Sequence, residues 1–144
     1  MSFLNLILIL ILFTVFLSGG LFLVTPFFSS VPSVPTRRKV LREIIEAMNL
    51  QDGNVLYDLG CGDGRLLFTA LQDHRNISCV GVEKAPFPFL LAKIRQLWSG
   101  NKNISIVYGD LFKISTSSAT HIFLYLLPEF MDRLLPKLEK ELKP

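Results

Sequence analysis

The hydrophobic pattern divides the chain into an apolar N-terminal stretch and a longer part in which apolar strands alternate with amphipathic helices. Residues 3–28 are almost continuously apolar, and a helix of about 26 residues at about 1.5 Å each is long enough to cross a bilayer. The first 36 residues carry no charge, whereas residues 37–42 include four basic side chains. The pattern predicts a single transmembrane anchor over 1–28, and the positive-inside rule places the rest of the chain on the cytoplasmic side.

A cleaved signal peptide is the alternative for this stretch, because the apolar run can stop near Ser18. No positive charge precedes the run and no small-x-small cleavage site stands out, which favours a retained anchor. Residues 29–36 contain prolines and serines and predict an extended linker. Thr36 is a candidate cap for a helix to about Asn49, with Val40, Ile44 and Met48 among the residues on its apolar face.

The remaining chain predicts one domain over residues 37–144, built from alternating strands and helices. Strands are predicted at 54–59, 78–83, 104–108 and 121–126, with helices from near 65 to about 71, from 86 to 98 and from 128 to about 142. Such alternation implies right-handed crossovers and therefore an α/β fold with a Rossmann-like, doubly wound parallel sheet.

Composition adds little to this picture. A net charge of +3 is too small and too scattered to indicate a nucleic-acid partner. The two cysteines, Cys61 and Cys79, indicate neither a disulfide framework nor a metal site, so they are typical of a reducing compartment.

A glycine-rich turn between the first strand and its helix is the main candidate site. Residues 58–65 read Asp-Leu-Gly-Cys-Gly-Asp-Gly-Arg, and their three glycines permit backbone angles and close ligand approach that a Cβ would prevent. The helix that follows directs unsatisfied N–H groups at the turn. Glu83, Asp110 and residues 125–129 stand at the ends of the other three strands, where parallel sheets bind their ligands.

Two classes of cofactor suit a glycine turn followed by an acid at the second strand end. Dinucleotide enzymes need a small residue at the last position of G-x-G-x-x-G/A, and Arg65 fits it poorly. The pattern favours S-adenosylmethionine, whose cationic amino-acid end suits an acidic group, with Glu83 on the ribose hydroxyls and Asp110 on the adenine amine beside Leu111 or Phe112. The predicted cofactor-binding residues are Asp58, Gly60, Gly62, Asp63, Gly64, Glu83, Asp110 and Leu111.

These motifs resemble those of the class I, seven-strand methyltransferases. A narrower resemblance is to the membrane-anchored protein-lysine methyltransferases of the ATP synthase c subunit and the adenine nucleotide translocase, through Pro26-Phe27, residues 34–36 (Val-Pro-Thr) and residues 123–129 (Phe-Leu-Tyr-Leu-Leu-Pro-Glu). The resemblance implies lysine N-methylation at a membrane, with Tyr125 and Pro128 in the substrate pocket.

The chain departs from that family because only four of seven strands are predicted. We expect either a sequence truncated after the fourth strand or a partner that covers its apolar edge. The alternatives to a lysine methyltransferase are a methyltransferase of small molecules or lipids, a non-catalytic cofactor- or partner-binding module, and, least favoured, a dinucleotide oxidoreductase.

Overall fold

The computed structural model describes the backbone of residues 3–28 and 38–142, and side chains within 3–22 and 39–142. The predicted linker over 29–36, with the Thr36 cap, lies outside these residues. The chain divides into two compact units, Met1–Pro32 and Ser33–Pro144.

The first unit is a single helix, α1 (Phe3–Phe28). Its described side chains are exposed, and the helix is apolar on all sides. Within the described residues, α1 is the one helix long and apolar enough to cross a membrane: over Phe3–Phe22 its mean hydropathy is 2.5. The structure thus confirms an N-terminal apolar helix.

The second unit alternates strands with helices. Its elements are α2 (Arg38–Ala47), β1 (Val55–Leu59), α3 (Arg65–Asp73), β2 (Ser78–Glu83), α4 (Pro86–Ser99), β3 (Ile104–Tyr108), β4 (His121–Phe123) and α5 (Pro128–Glu141). Proline at the first helical position begins both α4 and α5, where the missing N–H costs nothing. Gly100, with φ +61°, ends α4.

The four strands form one parallel sheet in the order β3-β2-β1-β4. After β3 the chain returns across β1 to place β4 on the other side, so β1 and β4 border the topological switch point. In open α/β sheets, ligands bind beyond the carboxyl ends of the strands at this point. The predicted α/β doubly wound sheet is confirmed.

Helices cover both faces of the sheet because β1 is apolar on both sides. Leu56 packs with the α2 and α3 side chains, whereas Tyr57 and Leu59 pack with Leu134 and Leu138 of α5. Side chains alternate along a strand, so Asp58 lies on the same face as Leu56, toward α3.

The prediction that the fourth strand reaches Leu126 is wrong, since β4 ends at Phe123. β4 pairs only with residues 56–58 of β1, and within the described ranges no strand lies on its other side. Without a partner ladder, Leu124 and Leu126 leave the strand and pack into the α5-side core.

Candidate functional site

The glycine turn is held against β2 by backbone hydrogen bonds. The N–H groups of Gly60 and Cys61 both donate to the Val82 carbonyl, at 2.8 and 3.1 Å. The three glycines have φ of +96°, +57° and +77°, which other residues rarely adopt. A Cβ on Gly64 would also lie 2.9 Å from the Phe68 ring. Backbone angle and space both require glycine at the start of α3.

Asp58 is a buried carboxyl group directly before this turn. It is 4% exposed, and among the described residues no N–H or O–H group donates a hydrogen bond to its side chain. Burial, reinforced by the negative charges of Glu83 and Asp63, raises the pKa of Asp58 to about 8. An acid held in this way favours a cation beside it, because a cation would compensate the buried charge.

Glu83 organises the turn from the end of β2. One carboxylate oxygen accepts the Gly62 N–H at 2.8 Å, and the other accepts the N–H groups of Lys84 and Ala85 at 2.9 and 2.7 Å. Glu83 therefore connects the centre of the glycine turn to the β2–α4 connection. The sequence predicted a functional role for Glu83 but not its hydrogen bonds to the backbone of the turn and of the β2–α4 connection.

Asp63 is engaged by two arginines. Its carboxylate accepts from Arg65 Nε at 2.7 Å and from an Arg95 guanidinium nitrogen at 3.3 Å. Arg95 also donates to the Asp63 backbone carbonyl at 2.8 Å and stacks on the Phe68 ring, 5.6 Å from its centroid. Arg95 thus connects α4 to the turn.

Asp110 follows β3 and is anchored on two sides. It accepts the Phe112 N–H at 3.1 Å and pairs with Lys84 Nζ at 3.1 Å. The Phe112 hydrogen bond, with the Lys84 charge, lowers the pKa of Asp110. Leu111 packs into the α5-side core, and Phe112 stacks on Phe130 of α5.

Tyr125 and Pro128 lie beyond β4 and are exposed, Tyr125 at 66%. They follow the carboxyl end of β4, at the edge that carries the glycine turn, since a Cβ on Gly60 would lie 3.3 Å from the Leu126 side chain. This exposure excludes a role for Tyr125 in core packing, and its side chain remains available to contact a methyl-accepting substrate.

The cysteines are buried free thiols. Burial, with the charge of Asp58, raises the pKa of Cys61 far above its usual range and that of Cys79 to about 12, so neither is a thiolate at neutral pH. Within the described residues, no group of three or more metal-binding side chains assembles.

A cavity of about 990 Å³ lies elsewhere, between α2 and α3. Its lining includes Arg42, Glu46, Arg65 and Arg95, and the last two pair with the Asp63 carboxylate. We place the candidate site instead at the strand-end face, defined here as Asp58, the 60–64 turn, Glu83 and Asp110. That face holds the buried Asp58 carboxyl, which no described donor reaches, and the exposed backbone of Gly60.

Sequence reasoning missed three residues of this region. Arg95 and Lys84 bind predicted site carboxylates from positions that carry no motif. Gly81, inside β2, allows close packing of α3 on the sheet: a Cβ there would lie 2.8 Å from both Cys61 Sγ and the Leu67 side chain. A glycine inside an apolar strand was the available signal for Gly81.

Comparisons with known proteins agree with this geometry. The family model described as the ANTKMT methyltransferase domain matches residues 58–144. A protein-lysine N-methyltransferase of Saccharolobus islandicus is 41% identical over 116 residues, covering 79% of this chain and 71% of that protein. The human lysine N-methyltransferase of the ATP synthase c subunit is 29% identical over 83% of this chain, which spans about half (52%) of that relative's length.

Solved structures give the same fold. An RNA methyltransferase from Salinibacter ruber, in complex with S-adenosyl-L-homocysteine, is 36% identical with a TM-score of 0.73, covering 77% of this chain and 72% of that one. A methyltransferase from Geobacter sulfurreducens has a TM-score of 0.65 at 22% identity, covering 85% and 51%, and supports the fold alone.

These matches confirm the resemblance on which the cofactor and enzyme class were predicted. The family model begins at Asp58 and covers the whole strand-end face. The chain therefore belongs to the ANTKMT methyltransferase domain family, within the S-adenosylmethionine-dependent methyltransferases.

Proposed function

We propose that this chain binds S-adenosylmethionine at the strand-end face and transfers its methyl group to a lysine side chain of a protein. The observation that carries the proposal is the buried, unpaired carboxyl of Asp58 beside a glycine turn. The relatives at 41% and 29% identity are named as lysine methyltransferases, which supports lysine as the acceptor.

Asp58 selects for the cationic end of the cofactor. A buried carboxylate is costly unless a positive charge compensates it, and the α-ammonium group of S-adenosylmethionine supplies one. In the 60–64 turn the N–H groups of Gly60, Cys61, Gly62 and Gly64 already donate within the protein, so the first N–H groups of α3 are the donors that suit the adjoining carboxylate. A single short segment of chain thereby matches both charges of the amino-acid end.

Glu83 and Asp110 suit the nucleoside end. A carboxylate has about four acceptor sites, and three backbone N–H groups occupy three of those on Glu83. One site remains for a ribose hydroxyl, and a second hydroxyl would have to compete with the Gly62 N–H. Asp110 keeps free acceptor capacity for an adenine amine, with Leu111 beside it.

The cofactor supplies an activated methyl group, so the chain's main task is to position it and the acceptor. A lysine amine must be neutral to attack, and with a reference pKa near 10.4 deprotonation at pH 7 costs about 4–5 kcal/mol unless an apolar surface lowers the pKa. The exposed side chains of Tyr125 and Pro128, after β4, are the proposed acceptor surface. No general base is assigned.

The named acceptors of the relatives fall into two classes. The Salinibacter ruber relative is named as an RNA methyltransferase, whereas two of the curated relatives are named for lysine. The scattered net charge of +3 lacks the basic stripe typical of RNA binding, which supports a protein acceptor.

The proposal includes a membrane location. Its support is α1, whose apolar surface is exposed along Phe3–Phe22, together with the basic residues that follow it. We assign residues 1–28 as a single-span anchor, 29–36 as a linker and 37–144 as the methyltransferase domain on the cytoplasmic side. A partner at the free edge of β4 would pair with a backbone edge that no strand of the described residues occupies.

Methyl transfer tests the proposal directly. Full-length chain in detergent is incubated with S-adenosylmethionine tritiated in the methyl group and with membrane extracts, and acid hydrolysates are analysed for methyl-lysine. Asp58→Asn should abolish labelling, whereas the surface variant Asp52→Asn should retain it. Label that is removed by ribonuclease, or that extracts with lipid, would instead identify an RNA or lipid acceptor and reject the lysine proposal.

A further inference from the structure

The helix α4 exposes an apolar surface that its packing on the sheet does not explain. Ala92 is the only fully buried residue of α4. Five large apolar side chains are exposed instead, with Leu97 at 72% and Trp98 at 87%. We call this surface the outer face of α4; it comprises Leu90, Leu91, Ile94, Leu97 and Trp98. A contiguous apolar patch of this kind marks a contact surface.

Helical geometry places these five residues together. At about 100° per residue they fall within an arc of roughly 120°, with Ala92 on the opposite side of the helix. Lys93 and Arg95 border the arc on its two sides. An apolar stripe flanked by cations is the arrangement of helices that lie in a lipid–water interface.

The charged residues of the segment that carries this face are all cations. Residues 84–109 contain four lysines and arginines and no aspartate or glutamate. Arg95 pairs with Asp63 and Lys84 with Asp110. Within the described part of the chain Lys93 binds only the neutral Ile106 carbonyl, and Lys102 is exposed just beyond α4. The outer face therefore has net positive flanks, which complement an anionic surface.

We propose that the outer face of α4 lies against the interface of an anionic bilayer. Tryptophan is the residue most typical of such interfaces, and Trp98 is the most exposed residue of the patch. The tether makes contact geometrically feasible: nine residues separate Phe28 from Arg38, and their extended length is at most about 35 Å. The inference uses the proposed membrane anchor for this tether and is independent of methyl transfer.

Such a contact would orient the domain. Lipid contact along α4 would fix the rotation of the domain about the tether, because it adds a second attachment to the bilayer. The strand-end face, which includes Glu83 just before α4, would then keep a constant inclination to the bilayer. For the proposed lysine methyltransferase, this orientation would favour an acceptor lysine at a defined depth near the membrane surface.

Trp98 is the only tryptophan of the chain, so its fluorescence reports on this face alone. The full-length chain is placed in nanodiscs of phosphatidylcholine with or without phosphatidylglycerol, and with or without bromine on the acyl chains. We expect a blue-shifted emission that acyl-chain bromine quenches, more strongly with phosphatidylglycerol. Carbonate extraction of the same discs reports separately on the α1 anchor.

Two variants and a control sharpen the test. Lys102→Gln should lower the ratio of membrane-bound to unbound outer face about fivefold, since each cation near an anionic surface contributes about that factor. Leu97→Gln should lower it roughly tenfold or more. Leu135→Gln, at an exposed leucine of α5, should leave quenching unchanged.

Three outcomes would overturn the proposal. Emission typical of water-exposed tryptophan without bromine quenching would show that the face does not meet lipid. A blue shift without quenching would instead indicate contact with protein or with a second copy. Equal effects of Leu97→Gln and Leu135→Gln would show that quenching does not depend on the outer face.

Discussion

The raised pKa of Asp58 predicts that cofactor binding releases a proton. With a pKa of about 8, the Asp58 carboxyl is roughly 90% protonated at pH 7 in the cofactor-free protein. A bound α-ammonium group favours the ionised form, so binding at pH 7 should release about 0.9 proton. The free-energy cost of ionising Asp58 first is about 1 kcal/mol at pH 7 and about 3 kcal/mol at pH 6.

The affinity for S-adenosylhomocysteine should therefore rise about tenfold per pH unit between pH 6 and 7. The ligand's own α-amino group titrates in alkaline solution, so measurements should stay below about pH 7.5. Calorimetry of the full-length chain in buffers of different ionisation enthalpy measures affinity and proton release together. Asp58→Asn should bind more weakly and without the pH slope.

Stability gives an independent readout of the same group. Because the folded-state pKa of Asp58 lies above the usual aspartate value of 3.8, the folded protein keeps this proton to higher pH than the unfolded chain. The free energy of unfolding of the cofactor-free protein should fall, relative to Asp58→Asn, as pH rises from about 4 to about 8.

In the binding experiment, an affinity that is constant between pH 6 and 7, with no buffer-dependent heat, would refute the reasoning about Asp58.

Three further predictions concern the turn and the fold. Gly64→Ala should destabilise the domain by more than Gly53→Ala, because both positions have positive φ but only a Cβ at 64 would meet a side chain. Urea unfolding should show a loss of about 1–2 kcal/mol for Gly53→Ala and a larger loss for Gly64→Ala. Equal losses would contradict the packing at Gly64. Glu83→Ala should weaken cofactor binding more than Glu83→Gln, which retains one acceptor oxygen; unchanged affinity by calorimetry would remove Glu83 from the site. Thr116→Val should cost about 1 kcal/mol, since the buried Thr116 hydroxyl donates to Glu141 at 2.9 Å, whereas the exposed Ser117→Ala should be neutral in the same assay.

The sequence predicted the scaffold well because its signals are local. Alternating apolar strands and helices specified the parallel sheet, and Pro86, Pro128 and Gly100 marked helix ends that the structure confirms. The glycine turn and Glu83 were recognisable for the same reason: a short segment carries each constraint. The family matches confirm the methyltransferase assignment that these motifs supported.

Other features depend on contacts between distant residues. Arg95 reaches Asp63 from 32 positions away, and no local pattern distinguishes it from the other exposed cations of the chain. β4 ends early because its length depends on neighbouring strands, which its own apolar run does not reveal. The exposure of Trp98 likewise could not be predicted, since α4 is apolar on both its buried and outer sides.

Equilibrium dialysis with labelled S-adenosylmethionine tests the central claim most directly. Folded full-length chain at pH 7 should bind the cofactor, Asp58→Asn should bind it more weakly, and excess NAD should not compete. A folded sample that does not bind S-adenosylmethionine, or that binds NAD in its place, would contradict the assignment of the strand-end face.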